Sequence, residues 1–209
     1  MGEKLYMSKQ EVKVFLDKIP SLKLRKITHD QVRVMFLVLL TGAMRISEVL
    51  QLTPNDLLGN GKVRLRQTKG GWQRCKCSEW KFRPLRLVSS DKTCPDCIGE
   101  GKYRISQDAW VQDYVYDELK LLSLQFKPDE RIFPISRRQA LNYANELMRV
   151  RTHTFRHTWL TWMLESEKMN IRDMKQKARH KNVQTTIDYI EKNTDYTRKK
   201  EDQIMGEFL

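Results

Sequence analysis

Seven consecutive apolar residues, Val34-Met35-Phe36-Leu37-Val38-Leu39-Leu40, constrain this chain more than any other stretch. A helix built on them is apolar all the way round, so other elements have to enclose it. The run is far shorter than the roughly 20 residues that cross a bilayer. It therefore reads as the middle of a core helix beginning near Asp30, with Gly42 placed as a left-handed stop. The 209 residues suit one main core around that helix.

The flanking segments carry their own local signals. Ser8-Lys9-Gln10-Glu11 is a capping-box signature, and Val12, Phe15, Leu16 and Ile19 follow at helical spacing until Pro20 and Ser21 end the helix. Ile46, Val49, Leu50 and Leu52 give a short helix after the Gly42 turn, and Thr53-Pro54 reads as an N-cap followed by proline at the first helical position. From Gly61 the period becomes two. Lys62 to Gln67 alternates as a half-exposed strand, and Thr68-Lys69-Gly70-Gly71 predicts a hairpin with Lys69 at its tip. A short strand resumes over Lys102 to Ser106. Helices are then expected from Ser106 or Asp108 to about Leu124, Arg137 to Met148, Thr154 to Glu165, Ile171 to Ala178 and Val183 to Glu191. The pattern predicts an α+β domain, mostly helical, with a small antiparallel sheet.

Charge narrows the partner. Lys and Arg number 39 against 26 Asp and Glu, a formal net charge of +13 and a pI near 9.7, the footprint of a protein that meets a polyanion, most often nucleic acid, with a solvated basic surface as the alternative. The N-terminus has no apolar signal segment, so an intracellular, reducing compartment is expected, cytoplasmic or nucleoid-associated, with no membrane partner. There, cysteines suggest metal before disulfide. Cys75-Lys76-Cys77 and Cys94-Pro95-Asp96-Cys97 use all four cysteines of the chain, and four thiolates around one Zn²⁺ would close a structural, zinc-ribbon-like site within an insertion over residues 75–97. Free thiols or two disulfides are the alternatives. The insertion bears Lys76, Lys81, Arg83, Arg86 and Lys92 beside Trp80 and Phe82, which suits either a DNA backbone contact or a metal staple for a lobe too small to have a core.

Several scattered residues supply what cleavage of a DNA phosphodiester requires. Tyr189 is the candidate nucleophile, a phenol with an ordinary pKa near 10 that needs a base or cationic surroundings. Arg45 and Arg156 are the candidate phosphate holders, because guanidinium forks match phosphate oxygens and stay charged. His153 lies three residues before Arg156, so on a helix both address one phosphate, with His153 as the acid/base partner of the tyrosine. His180 suits a hydrogen bond to a phosphate oxygen, and Lys69 on its loop suits protonation of the departing 5′ oxygen. Taken singly, each has a bland explanation in a salt bridge, a cap or a half-buried aromatic ring.

Their order removes the bland explanation. Thr41-Gly42-Ala43-Met44-Arg45-Ile46-Ser47-Glu48 resembles the first box of the tyrosine recombinases, or phage integrases, in which the arginine is catalytic and the glutamate three residues later buttresses it. His153-Thr154-Phe155-Arg156-His157 resembles the second box. Ala178-Arg179-His180 stands where that family usually has Leu-Gly-His, so Arg179 replaces a glycine, and Thr185 to Tyr189 matches the nucleophile segment nine residues past His180. Tyr196, sixteen residues past His180, is the second candidate nucleophile.

The resemblance implies a site-specific DNA recombinase or integrase of a mobile element. It would act on double-stranded DNA through a 3′-phosphotyrosyl intermediate, with neither ATP nor a catalytic metal. Type IB topoisomerase-like relaxation is the neighbouring chemistry, although those enzymes usually carry lysine where His153 stands; a non-catalytic DNA-binding module is the other alternative. The family pattern further implies a catalytic domain over residues 1–192 and a tail over 193–209. That tail presents Ile204, Met205, Phe208 and Leu209 either to a neighbouring protomer or back to its own domain. The family's N-terminal core-binding domain is not expected in this chain. A homotetramer on DNA, and a monomer or weak oligomer without it, completes the expectation.

Overall fold

The structure, a computed structural model, describes residues 5–65, 72–74, 102–104, 107–166 and 170–179. Helix α1 (Lys9–Lys18) starts with the predicted capping box: Glu11 N–H donates to Ser8 Oγ (3.2 Å) and Ser8 N–H to Glu11 Oε2 (2.9 Å). A 3₁₀ turn over Ile19–Ser21 ends it at the proline. Helix α2 (His29–Thr41) is capped by Thr28 and Gln31, and every residue from Val34 to Thr41 is buried. This is the enclosed helix that the apolar run requires. It packs against α4 (Asp113–Ser123) and α6 (Thr152–Glu165). Phe15, Phe36 and Phe155 join α1, α2 and α6 through ring centroids 4.8–4.9 Å apart. Each fully buried side chain of this kind stabilises the fold by about 1.5–3 kcal/mol relative to exposure.

Gly42 differs from expectation. Its backbone is right-handed (φ −82), and the left-handed residue is its neighbour Ala43 (φ 45). Glycine is needed at 42 for room instead: a Cβ there would lie 2.8 Å from the Val38 carbonyl oxygen and 2.8 Å from Met44 Cε. The turn leads into α3 (Ile46–Val49), and Thr53-Pro54 caps a single 3₁₀ turn, with Asp56 accepting from the Thr53 N–H at 3.0 Å.

Strands β1 (Leu57–Gly59), β2 (Lys62–Leu65) and β5 (Gln107–Trp110) form an antiparallel sheet in the order β1-β2-β5. The helix expected from Ser106 or Asp108 therefore begins later, at Asp113. Residues 107–110 instead pair with β2 (Lys62↔Trp110, Leu65↔Gln107), burying Ala109 and setting Asp108 beside Lys62 at 2.8 Å. Four residues of strand alternation directly before a helical pattern are hard to separate from that pattern in sequence alone.

With β1 and β5 on its two edges, β2 is the central strand of this sheet, and the turn predicted over residues 68–71 lies outside the described residues. Strand β3 (Trp72–Arg74) pairs with β4 (Lys102–Arg104), also antiparallel. Chain order thus runs out through β2 and β3 and returns through β4 and β5, with residues 75–101 between the two arms. Helix α5 (Arg137–Met148) matches its predicted span, and so does α7 (Ile171–Ala178). The α6 helix begins two residues before its predicted start. Lys69, the four cysteines, the helix expected over 183–191 and the tail lie outside the described residues. Among the described residues, no helix is long and apolar enough to cross a membrane.

Candidate active site

The Gly42–Ala43 turn delivers Arg45 to the N-cap of α3. There its backbone N–H donates to Glu48 Oε2 (2.8 Å) and its Nη1 to Glu48 Oε1 (2.9 Å). The Glu48 side chain is only 1% exposed and the Arg45 side chain 25%. The guanidinium is thus anchored at one edge and open to solvent at another. The i,i+3 pair with Arg45 explains a carboxylate in the interior: a buried charge is tolerated only when it is paired and hydrogen-bonded.

Arg156 approaches the same turn from α6. It is buried, with Nη1 donating to the Ala43 carbonyl (2.8 Å) and Nη2 to the Ala178 carbonyl at the end of α7. Burial and the positive charges of Arg179 and Arg45 push its pKa down to about 9, so it remains cationic at neutral pH. His153 lies one turn earlier on the same helix and is exposed. Partial desolvation, then the charges of Arg156, Arg137 and Arg45, hold its imidazole below the ordinary value of 6.5. It is therefore neutral at pH 7, the form able to accept a proton.

A third guanidinium, which sequence reasoning did not place in the site, completes the cluster. Arg179 caps α7 in a left-handed conformation (φ 54, ψ 41) with its side chain 6% exposed. Its Nη2 donates to Glu48 Oε2 at 2.7 Å. Burial lowers its pKa, and Glu48 opposes that shift. The one sequence signal for it was arginine in place of the glycine usual before the third-box histidine. Its burial comes from the approach of α7 to the α2–α3 turn, which no local pattern encodes. Arg137, at the start of α5, left no sequence signal beyond its charge.

The arrangement brings together Arg45, Glu48, His153 and Arg156. Three guanidiniums converge on one carboxylate, and among the described residues Glu48 is the acidic group that acts on His153, Arg156 and Arg179. Such a cluster carries excess positive charge in a partly desolvated place, fixed before any ligand arrives. It is suited to a tetrahedral oxyanion and to extra negative charge developing on it. Lys69, His180, Tyr189, Cys75, Cys77, Cys94 and Cys97 lie outside the described residues.

Comparison with known proteins bears on the fold. The phage integrase family model matches residues 106–195. No curated protein sequence matches the chain. Among solved structures, the chain is similar to the XerA recombinase, with TM-score 0.60 and 18% identity over 97% of this chain and 66% of that one. It is similar to the catalytic domain of bacteriophage HP1 integrase, with TM-score 0.58 and 15% identity over 90% of this chain and 88% of that one. It also resembles the XerH site-specific recombinase in a post-cleavage complex with a palindromic difH substrate, with TM-score 0.61 and 14% identity over 99% of this chain and 54% of that one. The chain thus spans about two thirds of XerA and about half of XerH. At these identities the likeness establishes the fold, that of the tyrosine-recombinase catalytic domain.

Proposed function

The phage integrase family model matches residues 106–195, and from that match we propose that this protein cleaves and rejoins double-stranded DNA site-specifically through a phosphotyrosine. The observation that carries the proposal is the convergence of Arg45 and Arg156 on the Ala43–Glu48 turn, with a neutral His153 one helical turn away. Two guanidiniums grip the non-bridging oxygens of the scissile phosphate. Tyr189 attacks phosphorus, its proton passing to His153, and the bond from phosphorus to the 5′ oxygen breaks. The 5′ oxygen takes a proton from Lys69, while His180 donates a hydrogen bond to a phosphate oxygen. The product is a 3′-phosphotyrosyl bond and a free 5′ hydroxyl. Because that ester conserves the energy of the bond broken, attack by a 5′ hydroxyl reseals the strand, and neither ATP nor a catalytic metal is called for.

The assembly follows from the same chemistry. Strand exchange between two duplexes requires four cleavages, which supports a homotetramer on DNA, with the apolar tail residues Ile204, Met205, Phe208 and Leu209 as the contact between protomers. Cys75, Cys77, Cys94 and Cys97 hold one structural Zn²⁺ in this proposal, supported by two cysteine pairs in one insertion between β3 and β4. Zinc analysis checks it: about one metal per chain is expected, falling with Cys94→Ser.

The deciding experiment for the catalytic proposal is covalent trapping on nicked duplex DNA, in which loss of the short 5′ fragment prevents resealing. A protein–DNA adduct is expected with the native chain and none with Tyr189→Phe. An adduct that persists in Tyr189→Phe would overturn the nucleophile, and no adduct with the native chain would leave a DNA-binding module.

A further inference from the structure

Arg179 occupies a backbone conformation that is disfavoured for any residue bearing a Cβ (φ 54). Glycine would end α7 there without strain, so what suits arginine to this position is its side chain. That side chain reaches across to the turn that holds Arg45. Nη2 donates to Glu48 Oε2 (2.7 Å) and, at greater length, to the Ala43 carbonyl (3.3 Å). Nη1 donates to the Lys177 carbonyl (3.2 Å) and more weakly to that of Gly42 (3.4 Å). The guanidinium thus spans α7 and the α2–α3 turn.

Two of its acceptors are shared with the phosphate-holding arginines. Glu48 Oε2 also accepts the Arg45 N–H, and the Ala43 carbonyl also accepts from Arg156. The residue preceding Arg179, Ala178, offers its carbonyl to Arg156 as well. Movement of Arg179 would therefore be felt by both. Its Nε is buried with no partner among the described residues, and its charge leaves the cluster two units positive against Glu48 rather than one.

Resting on the strand-transfer reading, we propose that Arg179 is a positioning residue for DNA cleavage. Its guanidinium fastens Glu48 and the Gly42–Ala43 turn to the end of α7, holding Arg45 and Arg156 at the spacing one phosphate needs. It also supplies the surplus positive charge that the transition state uses. A phosphodiester is a monoanion, and the pentacoordinate phosphorane formed by tyrosinate attack carries a second negative charge. A cluster of three guanidiniums and one carboxylate matches that second charge better than the first. The contribution therefore falls on the rate of cleavage more than on DNA affinity.

The test uses the full chain with a pool of nicked duplexes of randomised sequence, from which the native protein first selects the substrates it traps. Single-turnover adduct formation, DNA affinity and thermal stability are then compared for native protein, Arg179→Gly and Arg179→Lys. Arg179→Gly relieves the left-handed strain, and it is expected to cleave on the order of 10- to 100-fold more slowly with Kd changed by less than about threefold. Millimolar guanidinium ion restores part of that rate. Arg179→Lys remains slow, because one ammonium cannot serve acceptors on both sides of the gap.

Native cleavage rates in Arg179→Gly would overturn the proposal. So would a slowing that only tracks lost folded protein and gains nothing from guanidinium. Failure of the native protein to trap any DNA is a separate result, which would bring down the strand-transfer reading itself.

Discussion

Phe155 and Arg156 are neighbours on α6 and both are buried, yet they enter different kinds of interior. Phe155 stacks on Phe36 and meets Phe15 edge-on, a cluster complete in itself. Arg156 enters a pocket where, among the described residues, three guanidiniums outnumber one carboxylate, and burial, then its positive neighbours, lowers its pKa. Apolar packing is satisfied by the chain alone. The arginine cluster carries, among the described residues, more positive than negative charge, a balance that an anion would relieve. The α6 helix thus joins an apolar cluster to a cationic one.

The sharpest way to break that contrast is to remove each neighbour in turn. Arg156→Met takes away one of the two proposed phosphate donors, and on that proposal adduct formation is expected to fall by about 10²–10³-fold. Stability holds or rises, because a desolvated cation leaves a cluster that already has too many. Phe155→Ala does the opposite: stability falls by about 3–5 kcal/mol, while the rate per folded molecule stays near native. Denaturant unfolding and single-turnover trapping on the same preparations separate the two. If Arg156→Met unfolds the protein as Phe155→Ala does, the arginine is a structural residue.

Glu48→Gln tests the charge balance from the other side. The carboxylate is shared by Arg45 and Arg179, and losing its charge leaves guanidiniums facing one another in a desolvated place. A loss of about 3 kcal/mol is expected. Added sulfate should recover part of it by mass action, more than chloride at equal ionic strength. Stability in Glu48→Gln that ignores the choice of anion would mean that the cluster does not bind one.

Sequence exposed the local parts of this design and missed the parts made by tertiary approach. Ser8 with Glu11, and the spans of α5 and α7, were legible because caps and helical periodicity are written within a few residues. Arg45, Glu48, His153 and Arg156 were singled out by contexts ordered as in one family, and the structure brings the four together. Strand β5 was not, since its role depends on an open edge of β2 far away in the chain. Nor was Arg179, whose partners Glu48 and Ala43 lie more than a hundred positions earlier. At Gly42 the residue type was informative while the reason was wrong, close approach having been mistaken for a left-handed backbone. That distinction is testable. Gly42→Ala should cost about 1–3 kcal/mol by overpacking against Val38 and Met44, and a double-mutant cycle with Met44→Ala should show coupling that left-handed strain alone would not give.

The smallest expected effect comes from His153, at the exposed rim where the arginine cluster meets solvent. Its folded pKa lies below the unfolded value of 6.5 through desolvation and the charges of Arg156, Arg137 and Arg45. Below pH 6.5 the unfolded chain therefore binds this proton more readily than the folded one. Stability falls as pH drops from 6.5 through the folded pKa and is unaffected above it. His153→Gln should flatten that slope by only a fraction of the total, because the side chain is exposed and salt screens the neighbouring charges. The same shift keeps the imidazole neutral into mildly acid solution, so the acid limb of cleavage should lie below pH 6.5. Lowering the salt concentration should move that limb further down, as the guanidiniums are felt more strongly. An acid limb at or above 6.5 would place His153 outside the positive field and redraw the edge of the cluster between His153 and Arg156.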